Sequence, residues 1–319
     1  MQKSINIFFK AALAVLAIMS AAGCITEKLD TSDGLQSVML QVNIEAGEIT
    51  KADLTPEESA INSVRIYAYR SDGTPAGHYY RAEVSDDPII MDLTLPETGI
   101  HDVNFHIIAN EESMVFDDGL VLTESLTQIQ LQAAKIHNVN PSFGLPMYCV
   151  QDEAINVDNV SQTANTAAGH EGHFYLAQQV SFKLIRPMAK VSVYAAIADG
   201  GAPGSISVSR VDFPVNGTRI YNYLLPQTDA VLAAVPLRTD GVVMSSNSVT
   251  LTKTVDKTDA SEVENPANYD LVVGNIYIAE TEAGDANWQT RESDRQALLH
   301  VEYSVGDGGE IQHGYVYLP

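Results

Sequence analysis

The sequence predicts an all-β protein built as two tandem β-sandwich domains with a few short helices. Three observations predict it. Apolar and polar residues alternate along many short runs, the period of strands with one buried face. Gly, Asn, Asp and Ser clusters punctuate those runs at turn spacing, and no strand–helix alternation of the kind a parallel α/β fold needs is visible. Hydrophobic residues make up 45% of the chain, enough for a sizeable core.

In chain order, Ser37 to Glu45 alternates cleanly, with Val38, Leu40, Val42 and Ile44 on one face and Met39, Gln41, Asn43 and Glu45 on the other. Gly47 to Asp53 interrupts it as an exposed loop. Thr55-Pro56-Glu57-Glu58 reads as a capping box with proline at the first helical position. Val64 to Tyr69 is a second strand ended by Ser71-Asp72-Gly73, and Val103 to Ala109 a third, closed by Asn110. Leu126, Ile129, Ala133 and Ile136 have helical spacing and predict a short helix over Thr123 to Ile136. Ala154 to Gly172 is polar and predicts an exposed loop. Phe182 and Leu184 alternate, Pro187 kinks the chain, and Ala189, Val191 and Val193 resume. Further strands are expected near Ser205 to Phe213, Val231 to Leu237, Ser248 to Val255, Leu271 to Ile278 and Leu298 to Val305. Asp307-Gly308-Gly309 then turns into Ile311 to Leu318 as a terminal hairpin. The composition shift near residues 170–180 divides the chain into sandwiches over 35–180, with 37–45 as first strand, and 181–319.

The N-terminus carries a bacterial lipoprotein signal. Lys3 and Lys10 give a positive start, and Ala11 to Met19 is an apolar core too short to span a membrane. Ala21-Ala22-Gly23 then places small residues before Cys24. Cleavage between Gly23 and Cys24 would leave a thiol for acylation, so residues 1–23 are the expected signal peptide and 24–34 a polar tether. More than one acyl chain gives stable anchoring. The signal segment carries two lysines and no acid, so its removal shifts the net charge of −23 to −25. Such a surface repels nucleic acid and anionic headgroups. With Cys24 acylated, Cys149 stands alone and reads as a small buried hydrophobe in an apolar run.

Motifs for catalysis are lacking. His170-Glu171-Gly172-His173 places two histidines three apart beside glycine, not four apart on a helix as a zinc protease motif requires. His101 and His106 share no helical face. Asp117-Asp118-Gly119 and Asp307-Gly308-Gly309 lack the further oxygen ligands of a calcium loop and read as turns. No phosphate loop or nucleophile elbow occurs. The 14 tyrosines sit mostly among strand aliphatics, as packing residues, and Trp288 is the only tryptophan. No enzyme activity, metal or cofactor is expected.

Several segments, in order, resemble the fimbrillin family, the type V pilins of Bacteroidales with their accessory and anchor lipoproteins. They are the lipobox at Cys24, the strand Val38 to Ile44, Thr50-Lys51-Ala52, Val64 to Tyr69 with its turn, and Ile107-Ile108-Ala109-Asn110. Leu145-Pro146-Met147, Arg186-Pro187-Met188-Ala189-Lys190 and Tyr277-Ile278-Ala279-Glu280 complete the series. The resemblance implies transthyretin-like sandwiches, export to the outer membrane as a lipoprotein, and a surface fimbrium built from other fimbrial subunits by strand exchange. A protease removes the first strand and another subunit's strand fills the groove. Here Val38 to Ile44 would be removed, with Lys51 and Ala52 the candidate processing site, since the first arginine, Arg65, lies inside a predicted strand. Pilins commonly continue into an Arg-Asn segment and a donor strand. This chain ends at Tyr317-Leu318-Pro319, so it is expected to be a fragment or a subunit that receives a strand without donating one. Stalk, anchor and tip positions, and host or bacterial surface ligands, stay open. The alternative is a surface glycan-binding lipoprotein, also a string of sandwiches behind a lipid.

Overall fold

The clean alternation at the start of the chain forms the strand around which the first half is built. A computed structural model describes residues 34–47, 56–84, 89–161, 166, 170–200, 204–279 and 297–318. The first half comprises β1 (Leu35–Ala46), α1 (Pro56–Ser59), β2 (Val64–Arg70), β3 (Pro75–Arg81), β4 (Ile89–Pro96), β5 (Ile100–Ala109), β6 (Met114–Phe116), α2 (Gln128–Ala133), β7 (Lys135–Val139), β8 (Met147–Asn156) and β9 (Phe174–Leu184). One sheet has the order β4-β1-β9 and another the order β3-β2-β5-β8. Their inner faces close one core. Val38, Leu40 and Val42 meet Ile66, Ala68, Phe105 and Ile107 there, and the Phe105 and Phe182 rings lie 5.2 Å apart.

The second sheet is buried on both faces, which is why Val64 to Tyr69 is continuously buried rather than alternating. Its outer face is covered by the excursion between β5 and β8, through Tyr67, Tyr69, Ile108, Leu126, Leu131 and Ile136. The Tyr67 and Tyr69 hydroxyls donate to the carbonyls of Thr123 and Leu126. The helix expected over Thr123 to Ile136 is shorter. Thr127 caps α2 in a box with Gln130, Leu131 is the buried residue, and Ile129 is 77% exposed. Ile136 belongs to β7. A cap that fixes where a single turn begins overrides the weaker apolar spacing.

Asn110 explains two of the segments singled out in the sequence. It sits fully buried in the left-handed region with φ 60°. Its Oδ1 accepts from the Asn62 and Ser63 N–H groups at 2.8 and 3.4 Å, and its Nδ2 donates to the Ala60 and Leu145 carbonyls at 2.9 and 2.8 Å. Asparagine tolerates that backbone better than most residues. Here its amide also ties β5, the approach to β2 and the Leu145-Pro146 segment together.

The second half comprises β10 (Met188–Ala195), β11 (Ile197–Ala198), β12 (Ile206–Phe213), β13 (Asn222–Tyr223), α3 (Asp229–Ala233), β14 (Val242–Ser245), β15 (Val249–Thr250), β16 (Thr254–Val255), α4 (Ala260–Val263), β17 (Asp270–Ala279), β18 (Ala297–Val305) and β19 (Ile311–Leu318). A sheet of order β14-β12-β18-β19, with β15 beside β12, packs on the β10-β17 pair. Val208, Val211, Phe213, Val273, Ile278 and Leu299 form its core. Short strands β13 and β7 pair across the halves, Asn222 opposite Ile136, and Leu224 and Leu225 pack into the first half's outer cluster.

Three local expectations are corrected. Val231 to Leu237 is not a strand: α3 occupies its start, and Leu232 and Val235 are buried at helical spacing. Ser248 to Val255 is two short strands separated by Leu251 to Lys253, one beside β12 and the other beside β11. Ala154 belongs to β8, which runs to Asn156 with Ile155 buried, so the loop begins later than the composition suggests. The expected boundary at 180/181 falls inside β9, whose Phe182 and Leu184 are buried in the first core. The chain passes from one core to the other at Arg186-Pro187, where proline cannot donate to a ladder.

Candidate functional site

Gly23, Cys24, Lys51 and Ala52 lie outside the described residues. The strand between them, β1, is described throughout, and its placement gives those residues their meaning. β1 is the middle of its sheet. It runs antiparallel to β4 from Leu35 opposite Pro96 to Val42 opposite Ile89. It runs parallel to β9 from Val38 opposite Phe174 to Ala46 opposite Leu184, with an irregularity between Met39 and Gln41. Its central stretch therefore has a strand on each side, the β9 ladder being interrupted only at Leu40, and both ladders belong to partners far away in sequence. Taking β1 out would leave a slot with unpaired N–H and C=O groups on both walls and an apolar floor.

The inward side chains Val38, Leu40 and Val42 are at most 1% exposed. Ile44 is half-buried against the same core. The outward side chains Gln41 and Asn43 hydrogen-bond across to Gln179 and Ser181 of β9. Met39, expected on the solvent face, is fully buried instead.

Asp92 lies opposite Met39 in the register and therefore on the same face of the sheet. His170 Nδ1 lies 3.1 Å from Asp92 Oδ2, and His173 Nδ1 lies 2.6 Å from Oδ1. An ionised carboxylate only accepts, so both imidazole N–H groups donate to it. His173 immediately precedes β9, and Asp92 is in β4. The two bonds thus tie the strands flanking β1 to each other across its outer face. The sequence shows the two histidines three apart but gives no sign of the aspartate, 78 residues upstream. Potential donor atoms of the three lie within 4.8 Å of one another, yet each of the four hydrogen-bonding atoms already has a partner inside the trio.

On the far side of the 48–55 segment the chain is anchored again. Glu58, in α1, is 4% exposed. Lys190 Nζ donates to its Oε2 at 2.8 Å, and the Tyr277 hydroxyl donates to Oε1. Burial and that carboxylate push the Tyr277 hydroxyl pKa up. Lys190 and Tyr277 are the lysine of the Ala-Lys strand and the tyrosine of the Tyr-x-x-Glu segment; pairing with one buried carboxylate unites two motifs that look unrelated in the sequence. Arg65 is equally held. Its Nε and Nη2 donate to the two Glu111 oxygens at 2.5 and 2.7 Å, and it is 7% exposed in the centre of a sheet. It is shielded from a protease.

The other residues considered for chemistry remain apart. His101 bonds the Thr98 carbonyl in a turn. His106 is fully buried, and burial lowers its pKa to about 4. Cys149 is free and buried in β8, and burial pushes its thiol pKa up. Among the described residues no helix is long and apolar enough to cross a membrane. A cavity of about 400 Å³, lined in part by His137, Arg219, Tyr221 and Arg238, opens between the halves, away from β1.

No family model matches the sequence, and no curated protein matches it. Among solved structures, the chain is similar to a C-terminally truncated form of the tip fimbrial protein Mfa3 of Porphyromonas gingivalis, at 16% identity, covering 88% of this chain and 81% of that one, TM-score 0.44. It is similar to a fimbrial assembly protein of Parabacteroides distasonis at 12% identity, covering 88% and 100%, TM-score 0.40. It is similar also to a fimbrilin of Porphyromonas gingivalis at 12% identity, covering 88% and 80%, TM-score 0.45. All three of those proteins are fimbrial.

Proposed function

We propose that the chain is a structural or accessory subunit of a surface fimbrium, exported as an outer-membrane lipoprotein through Cys24, without enzyme activity, and assembled by strand addition. One observation carries the reading. The N-terminal strand is the centre of its sheet, joined to the rest of the protein through a segment that includes Lys51, with the chain anchored again at Glu58. A cut in that segment frees β1 from covalent attachment and leaves the remainder tied down. What would enter the vacated slot is an extended segment with apolar residues at every second position, because the slot presents two ladders and a one-sided apolar floor. The order of the fimbrillin-like segments, two of which converge on Glu58, supports the same reading.

The test is to place a specific protease site in the 48–55 segment of the full chain, cut it, and ask whether β1 leaves in mild denaturant. The shortened protein should then capture a peptide copying residues 35–46 and recover its thermal midpoint. A shortened product that stays monomeric, as heat-stable as the whole chain and indifferent to the peptide, overturns the proposal.

A further inference from the structure

A second group of histidines lies on the outer sheet of the C-terminal half, far from β1 and independent of the fimbrial reading. His300 and Glu302 are two apart on β18 and so share a face. His313, on β19, is the register partner of Glu302. His300 Nδ1 lies 3.0 Å from Asp212 Oδ1 on β12, and its Nε2 lies 3.0 Å from His313 Nδ1. The Tyr315 ring stacks on His300 at 4.8 Å between centroids. Asp212 is buried and also accepts from Arg210.

This arrangement orients donor atoms. The Asp212 carboxylate can only accept, so His300 carries its proton on Nδ1 and presents the Nε2 lone pair outward. That is the carboxylate–histidine pairing that fixes tautomer and ring direction behind metal ligands. The lone pair is aimed at His313 Nδ1, and one potential donor atom from each of His300, Glu302 and His313 lies within 4.8 Å of the others. Tetrahedral Zn²⁺ with bonds of about 2.0–2.2 Å holds its ligands about 3.3 Å apart, so the two imidazole nitrogens are already near the required spacing and the carboxylate needs a side-chain rotation.

We propose that His300 Nε2, His313 Nδ1 and a Glu302 carboxylate oxygen form a binding site for a divalent transition metal of the Zn²⁺ class, with Asp212 orienting His300. Two imidazoles and one carboxylate select such ions over Mg²⁺ or Ca²⁺, which take oxygen ligands. On binding, the metal replaces the proton between the two rings. His313 carries its proton on the exposed Nε2 instead, so no net proton is lost. All three ligands stand on adjacent paired strands, which hold geometry better than loops. The Asp92–His170–His173 trio differs: both Nδ1 atoms are taken up by the one carboxylate, no further carboxylate among the described residues stands behind either ring as Asp212 stands behind His300, and both histidines lie in the loop preceding β9. A bound ion would tie β19 to β18, a strand pair at one side of its sheet.

The test uses the full chain, stripped with a chelator and titrated with Co²⁺ as a spectroscopic probe, then with Zn²⁺ in competition. Expected are one equivalent bound with the intense visible absorption of a tetrahedral N/O site, a loss of affinity of at least about tenfold in His313→Ala and in Glu302→Gln, and no change in the double variant His170→Ala/His173→Ala. His313 is exposed, so its variant should keep the circular dichroism of the parent, and Zn²⁺ should raise the thermal midpoint of the parent but not of that variant. No bound equivalent, unchanged binding in His313→Ala, or loss of binding in the His170/His173 double variant would each overturn the assignment.

Discussion

Leu40→Ala tests whether β1 is held as the structure says. Leu40 sits in the middle of β1 with no exposed surface, between the two sheets of the first core. Truncation removes three carbons, about 2.4 kcal/mol at about 0.8 kcal/mol per methylene. The flanking ladders keep the sheets from closing on the gap, and the cavity term brings the cost to about 4 kcal/mol, within the range of about 2–5 for such changes. Against a total stability of about 5–15 kcal/mol, that is a large fraction. Urea unfolding followed by circular dichroism gives the number, with Ile129→Ala on the exposed face of α2 as a control expected within about 0.5 kcal/mol. The same loss should appear in exchange. Once the 48–55 segment is cut, a peptide of native sequence 35–46 should displace the Leu40→Ala strand with a preference of several hundredfold, since every ~1.4 kcal/mol is tenfold. A stability cost under about 1 kcal/mol, or no preference for the native peptide, would refute the reasoning that links burial of this strand to exchange.

Three further outcomes are expected. Burial holds His106 at a pKa of about 4, against an ordinary value of about 6.5, so between those values the unfolded chain takes up a proton that the native state refuses. Stability from this residue is complete above about pH 6.5 and falls with pH by about 1.4 kcal/mol per pH unit; unfolding at about pH 6.5 and about pH 5 should show a shallower slope in His106→Gln, and an identical slope would disprove the assignment. Asn110→Ala removes four bonds to backbone groups and leaves alanine at positive φ, so it should cost about 3 kcal/mol or more, and Asn110→Gly should recover only the backbone part; a near-neutral Asn110→Ala in urea would count against the tie. Cys24→Ala should abolish incorporation of labelled palmitate and leave the protein unprocessed or released, whereas equal labelling of the variant would rule out the lipid anchor.

Much of this protein is determined by residues close together in the chain. The alternation in Ser37 to Glu45, Phe182 to Leu184 and Ser205 to Phe213 marks strands because a pleated backbone sends successive side chains to opposite faces. The lipoprotein signal expected around Cys24 is likewise read from adjacent residues, and the terminal hairpin is set by adjacent residues too. Where a local pattern competed with another local rule, the stronger rule decided: the Thr127–Gln130 box placed α2 and left Ile129 in solvent, and α3 took the start of Val231 to Leu237, where a strand was expected. The tertiary structure alone decided that β1 is central, because its parallel partner β9 lies beyond the rest of the sandwich and no local period encodes a sheet's order. Met39 is buried for the same reason: it stands on a central strand, with Asp92 of β4 opposite it on one side and Tyr175 of β9 on the other. Lys190 and Tyr277 acquire a shared purpose only when folding brings both to Glu58, and His300, Glu302 and His313 become one site only through the register of β18 and β19. Side chains that act together across a sheet are joined by strand order and register, which arise from the packing of the whole core.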